Sequence, residues 1–233
     1  MSTEEIVKAA TSETGGYILA AYRDKATGVL NAANGVNALG ALAGIFAQIQ
    51  ARAMLRLGVI QQTETTLVEV STKSGAVYYF GDAINACLLE GSKDSPSFWM
   101  LSAAAAQDPK IGDKVQPLEI ARRAAKDVGG PDFGRPKIES RYRVTELPQD
   151  AVRTHGPWLL ARFLELNLHP LQLMHVFGSV AQSFAAFPAG EISDARADTP
   201  MKRADIVRLY MEAAIPSSKL DLRAVGMAIE WKG

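Results

Sequence analysis

The chain has 233 residues and a mass of 25.0 kDa, with 25 basic and 25 acidic side chains and a hydrophobic share of 48%. That balance excludes a disordered chain, which would carry fewer apolar residues, and a bulk polyanion binder, which would carry a positive excess. A chain of this length buries roughly 70% of its unfolded surface and needs no covalent staple.

At the N-terminus, Ser2 and Glu5 have the spacing of a helix capping box. The opening residues are polar and acidic, unlike a secretory signal. No charged residue occurs between Ala26 and Ala51, a run long enough to cross a bilayer. Five amides interrupt it (Asn31, Asn34, Asn37, Gln48 and Gln50), and alanine contributes little transfer energy. A buried helix is the expectation, and no membrane. Leu39, Leu42, Phe46, Ile49, Ala53 and Leu57 share one face of it, while Gly40, Gly44, Gln48, Arg52 and Arg56 form another stripe. Small residues four apart admit a close helix, either from the same chain or from a second copy.

Beyond Gly58 the period changes. Residues 65–72 and 76–80 are β-branched and aromatic, with Lys73-Ser74-Gly75 as the turn between them, which predicts a β-hairpin over 65–80. Helices follow over 83–90, from Ser95-Pro96 through Ala106, and from Pro117 to Val128. In the last of these, Leu118, Ala121, Ala125 and Val128 share the expected buried face, and Glu119 pairs with Arg123. The Gly/Pro-rich stretch 129–136 is irregular. Ile138, Ser140, Tyr142 and Val144 alternate with charged residues, which predicts a strand near 138–144. Further helices are expected over 148–153, 157–166, 170–187 and 200–214. The tail 219–231 alternates like a strand but has helix-favouring residues. The expected fold is therefore α+β and helix-dominated, about seven helices around a small antiparallel sheet. It forms one domain over 1–233, with a subdomain hinge at 129–136 as the alternative.

No Walker loop, H-E-x-x-H, G-x-S-x-G or S-x-x-K motif occurs. The one cysteine, Cys87, excludes an internal disulfide or multi-thiolate metal site, which fits a cytoplasmic setting; no metal and no cofactor are expected. His155 and His169 each fall just before an expected helix start, where imidazole can cap a backbone N–H. Two polar seams remain as ligand-binding candidates. One is Gln172, His175, Ser179 and Gln182 on an otherwise apolar helix; the other is Asn31, Asn34 and Asn37. If both face one cavity, they suit an uncharged ligand. Between Lys110 and Arg143 nine basic residues meet five acidic ones, and Arg141 and Arg143 on one strand face are the anion-binding candidates.

The function these features favour is a non-enzymatic, self-associating binding or interaction protein. It would act as a homodimer and take a small uncharged ligand, with nucleic acid an unfavoured partner. The alternatives are an enzyme using His175 in a helical pocket, and a weak anion or nucleic-acid binder through the basic face at 110–143.

Overall fold

The computed structural model describes residues 1–93, 95–186 and 201–227. Helix α1 (Thr3–Ala21) starts with the Ser2/Glu5 capping box formed in both directions. A short turn leads to α2 (Ala32–Arg56), capped by the Asn31 side chain. The hairpin pairs β1 (Val68–Ser71) with β2 (Val77–Phe80), and Gly75 takes φ +84° in the turn, as the sequence requires. Then come α3 (Asp82–Asn85), which continues in a π-helical turn to Glu90, α4 (Phe98–Ala105), α5 (Ile111–Val115) and α6 (Pro117–Lys126). The chain closes with α7 (Pro148–Glu165), α8 (Leu173–Ala186) and α9 (Arg203–Ser217). The architecture is the helix-dominated α+β fold with a two-stranded antiparallel sheet.

Helix α2 is the axis of the core. Every residue from Ala32 to Ala51 is buried, and its most apolar stretch, with mean hydropathy 1.3, is 83% enclosed by the other helices. The Gly40–Gly44–Gln48 stripe faces α9. A Cβ on Gly40 would lie 2.6 Å from the Tyr210 carbonyl oxygen, and one on Gly44 would lie 2.0 Å from that of Ala214. At the end of the stripe, Gln48 Nε2 donates to the carbonyls of Ser218 (2.9 Å) and Leu220 (3.0 Å). The close-packing stripe is thus filled from within the chain. The continuous buried cluster runs from Ala10 to Met227 and includes residues on both sides of 129–136.

Several elements differ from expectation. Residues 138–144 form no strand. Ser140–Tyr142 is a 3₁₀ turn closed by local bonds, and Arg143 at φ +46° reverses the chain. Ile138, Tyr142 and Val144 do pack on the core, and the Tyr142 hydroxyl reaches Asp205 on α9 at 2.5 Å; among the described residues no strand pairs with this segment to form a ladder. The expected helices 148–153 and 157–166 are one helix, α7. Pro157 withholds an N–H from Arg153, whose residue is exposed, so the lost bond falls on the solvent side of the helix. In α6 the buried residues are Ile120 and Ala124, and Leu118 is 61% exposed. Arg123 sets that rotation by pairing with the buried Glu212 of α9, while Glu119 pairs with Arg122 instead. Helix α4 begins at Phe98 with Ser97 as its cap, two residues later than Ser95-Pro96 suggested. In the tail, Leu220 makes a single antiparallel bridge to Tyr78 and residues 222–226 are turns; the rest of the expected tail, Phe187 and Pro200 lie outside the described residues.

Candidate functional site

A polar network built by α1, α7 and the segment before α7 is the most concentrated chemistry in the fold. His155 is buried on α7, and both its ring nitrogens are engaged. Nδ1 lies 2.9 Å from the Tyr17 hydroxyl and Nε2 lies 3.0 Å from that of Tyr22. The Tyr22 hydroxyl also donates to the Glu146 carboxylate. A phenol carries one proton, and Tyr22 gives it to Glu146. His155 Nε2 must therefore carry the N–H that Tyr22 accepts, and Nδ1 must accept from Tyr17. The order of donation is Tyr17 to His155 to Tyr22 to Glu146, with a neutral imidazole.

The surroundings favour that order. Burial holds the His155 pKa below its usual range, so the ring stays neutral. Burial pushes Glu146 up, with the Asp150 carboxylate adding to this and the Tyr22 hydrogen bond opposing it. Burial and then the Glu146 hydrogen bond push the Tyr22 hydroxyl far above its usual range, and burial raises Tyr17 as well. Trp158, 44% exposed, stacks on Tyr17 with ring centroids 4.1 Å apart.

The asparagine seam positions this network. Asn34 Nδ2 donates to Thr145 Oγ1 at 2.8 Å, and its Oδ1 accepts from the backbone N–H groups of Thr145 (3.0 Å) and Glu146 (3.4 Å). Asn37 Nδ2 donates to the Glu146 carbonyl at 2.9 Å. Asn31 accepts from the Asn34 N–H as the cap of α2. Two amides of α2, Asn34 and Asn37, thus fix the segment that carries Glu146, and Asn31 caps the helix that bears them.

Tyr22 also forms one wall of an open cleft of about 560 Å³, shared with Ala21, Arg23, Asp24, Thr27, Val29 and Asn31. Its rim is a turn in which Asp24 Oδ1 accepts from Thr27 N (2.7 Å), Thr27 Oγ1 (2.8 Å) and Ala26 N (3.0 Å). Those bonds, the Thr27 backbone first, hold the Asp24 carboxyl below its usual range. Hydrogen bonds from Asp24 N to Val29 O and from Asn31 N to Tyr22 O close the turn.

The other candidates lie elsewhere. His175 is exposed on α8, and Gln172, Ser179 and Gln182 are half-buried beside it. Among the described residues no hydrogen bond joins that seam to the asparagines. Arg141 is committed locally, pairing with Glu139 at 2.8 Å, bonding the Tyr142 hydroxyl and lying over its ring; Arg143 is exposed in its left-handed turn. His169 does cap a backbone N–H, that of Leu171. Cys87 is buried against Met54, with its thiol pushed up to about 12 by burial. Among the described residues no group of three His, Cys, Asp or Glu side chains is placed to hold a metal.

Sequence reasoning missed Tyr17, Tyr22, Glu146 and the central place of His155. Reading Pro157 as a helix start put His155 outside the helix. The usable signal was its four-residue spacing from Ala151 and Leu159 on the buried face of a continuous α7. Nothing in the sequence marks the tyrosines, which join His155 across more than 130 positions. Comparison with protein-family models, with characterised proteins and with solved structures finds no match for this chain.

Proposed function

We propose that this is a non-enzymatic binding protein that takes a small, uncharged, hydrogen-bonding ligand in the cleft at the end of α1. The observation that carries this reading is the double role of Tyr22, at once a cleft wall and a member of the part-buried Tyr17–His155–Tyr22–Glu146 chain. A ligand that bonds to its hydroxyl competes with Glu146 or His155 and so couples occupancy to the interior.

Binding is favoured over catalysis by the protonation states. A tyrosine that acts as a base or nucleophile needs a lowered pKa, whereas both tyrosines here are pushed up. His155 has no free nitrogen to offer a substrate. The His175 alternative has an exposed ring without convergent partners among the described residues. Self-association keeps less support, because the glycine stripe that suggested it packs against α9.

The test is a two-dimensional amide NMR screen of the full chain against small polyols, amides and neutral sugars. The reading predicts a ligand that shifts Tyr22, Thr27 and Asn31 together, loses affinity in Tyr22→Phe and returns unchanged. Shifts confined to the Gln172–Gln182 face, or conversion of the ligand, would overturn it.

A further inference from the structure

The hydrogen bonds along Tyr17, His155, Tyr22 and Glu146 can run in either direction through the same heavy atoms. His155 and Tyr22 each give one bond and accept one, whereas an ionised Glu146 only accepts. The charge on Glu146 therefore sets the direction from one end. A neutral Glu146 carboxyl becomes a donor, and its hydrogen faces the Tyr22 oxygen. Tyr22 must then turn its own proton to Nε2, 3.0 Å away. That requires a bare Nε2, so the ring proton sits on Nδ1 and faces the Tyr17 oxygen at 2.9 Å.

We infer that these four groups form a proton-polarity switch, in which protonation of Glu146 reverses the whole chain and moves the His155 ring proton from Nε2 to Nδ1. The Tyr17 hydroxyl, half-buried under the exposed Trp158 ring, is the solvent end. It takes a proton from hydronium as its own passes to Nδ1. The Nε2 proton passes to the Tyr22 oxygen, and the Tyr22 proton passes to the Glu146 carboxylate. One proton enters, the carboxylate becomes neutral, and no imidazolium or phenolate is left. The same proton held on His155 would leave an imidazolium and a carboxylate on either side of Tyr22, two part-buried charges in place of none. The titratable groups facing Glu146 are Tyr22 and, in the first turn of α7, Asp150; α2 brings the neutral amides Asn34 and Asn37. Those facing His155 are Tyr17 and Tyr22. Burial disfavours both charges, raising Glu146 and lowering His155. The reversal changes what the cleft offers. A ligand that accepts from Tyr22 displaces a carboxylate before it and a neutral imidazole after it, and the charged bond is the stronger. Acid thus favours such a ligand. This consequence depends on the binding role proposed for the cleft; the reversal itself does not.

The test needs no ligand. Ring-nitrogen NMR of His155 and carboxyl-carbon NMR of Glu146 are followed in the full chain from neutral pH into acid. The ring proton is expected to move from Nε2 to Nδ1 with a midpoint above 4.5 that coincides with the Glu146 titration. In Glu146→Gln, whose amide takes up no proton in this range, the ring is expected to hold one pH-independent tautomer over the same interval. Protonation of both ring nitrogens as Glu146 titrates would overturn the switch, as would an Nε2–H form unchanged down to pH 4.5 or to acid unfolding. A pH-driven exchange of tautomers that survives in Glu146→Gln would equally overturn it. Both titration curves come from the wild-type chain, so they decide the matter even where the variant fails to fold.

Discussion

At the residue scale, two glycines on neighbouring helices give opposite expectations. Gly44→Ala would drive a methyl against the Ala214 backbone, where the Cβ site lies 2.0 Å from the carbonyl oxygen. The helices must separate, so the variant is expected to lose about 3 kcal/mol in urea denaturation. Gly16 is an exposed position inside α1 with nothing within 4 Å of its Cβ site. Gly16→Ala is expected to gain up to about 1 kcal/mol in the same assay. His155 supplies a pH dependence. Its folded-state pKa is lowered from 6.5, so the unfolded chain takes up the proton first as pH falls. Its contribution to stability is full above about 6.5 and is lost as pH drops toward the folded value. Glu146 has the opposite sign: its raised pKa contributes stability below its ordinary 4.5, and this is lost as pH rises through the folded value. The melting temperature of the wild-type chain should therefore fall more steeply just below pH 6.5 than that of His155→Gln. Parallel curves would mean that the imidazole is not held neutral. The spacing of four in the glycine stripe was legible in the sequence. Whether its partner was α9 or a second copy was not, because spacing records a close approach and not its source.

At the scale of elements, local chemistry decided what could be read ahead. The hairpin, its Gly75 turn, the capping box on α1 and the Pro117 start of α6 all depend on residues within a few positions of each other. Residues 138–144 and α7 were misread where long-range contacts prevail. Tyr142 turns inward to meet Asp205, and packing along α7 keeps the helix continuous past Pro157. The rotation of α6 belongs to the same class, since the Arg123–Glu212 pair that fixes it spans 89 positions. The join between α2 and the segment before α7 is concentrated in Asn34, whose two side-chain polar atoms make three bonds there. Asn34→Ala leaves two backbone N–H groups and the Thr145 hydroxyl without that partner. It is expected to cost about 2–3 kcal/mol and to raise amide exchange at Thr145 and Glu146 with α8 unaffected. Equal loosening of α8 would show that the seam does not act locally.

At the scale of the molecule, the high apolar share is gathered on one enclosed axis, α2, with α1, α3, α7, α8 and α9 packed around it and α4, α5 and α6 seated on α8 and α9. The small side chains of α2 let α9 approach closely, and Asn34 and Asn37 hold the segment that carries Glu146. The candidate site forms where segments distant in sequence converge: α1 brings Tyr17, the residue that caps its end is Tyr22, and α7 brings His155. Only the asparagines and one histidine were visible beforehand, because the tyrosines have no pattern apart from the contact itself. The account rests on the order of protons in that contact, which leaves two protonated tyrosines and a neutral imidazole, the state on which the proposed binding role depends. The direct measurement is the nitrogen NMR spectrum of the His155 ring at neutral pH. A proton on Nε2, with Nδ1 bare and accepting from Tyr17, is the predicted result; a proton on Nδ1, or on both nitrogens, would contradict it.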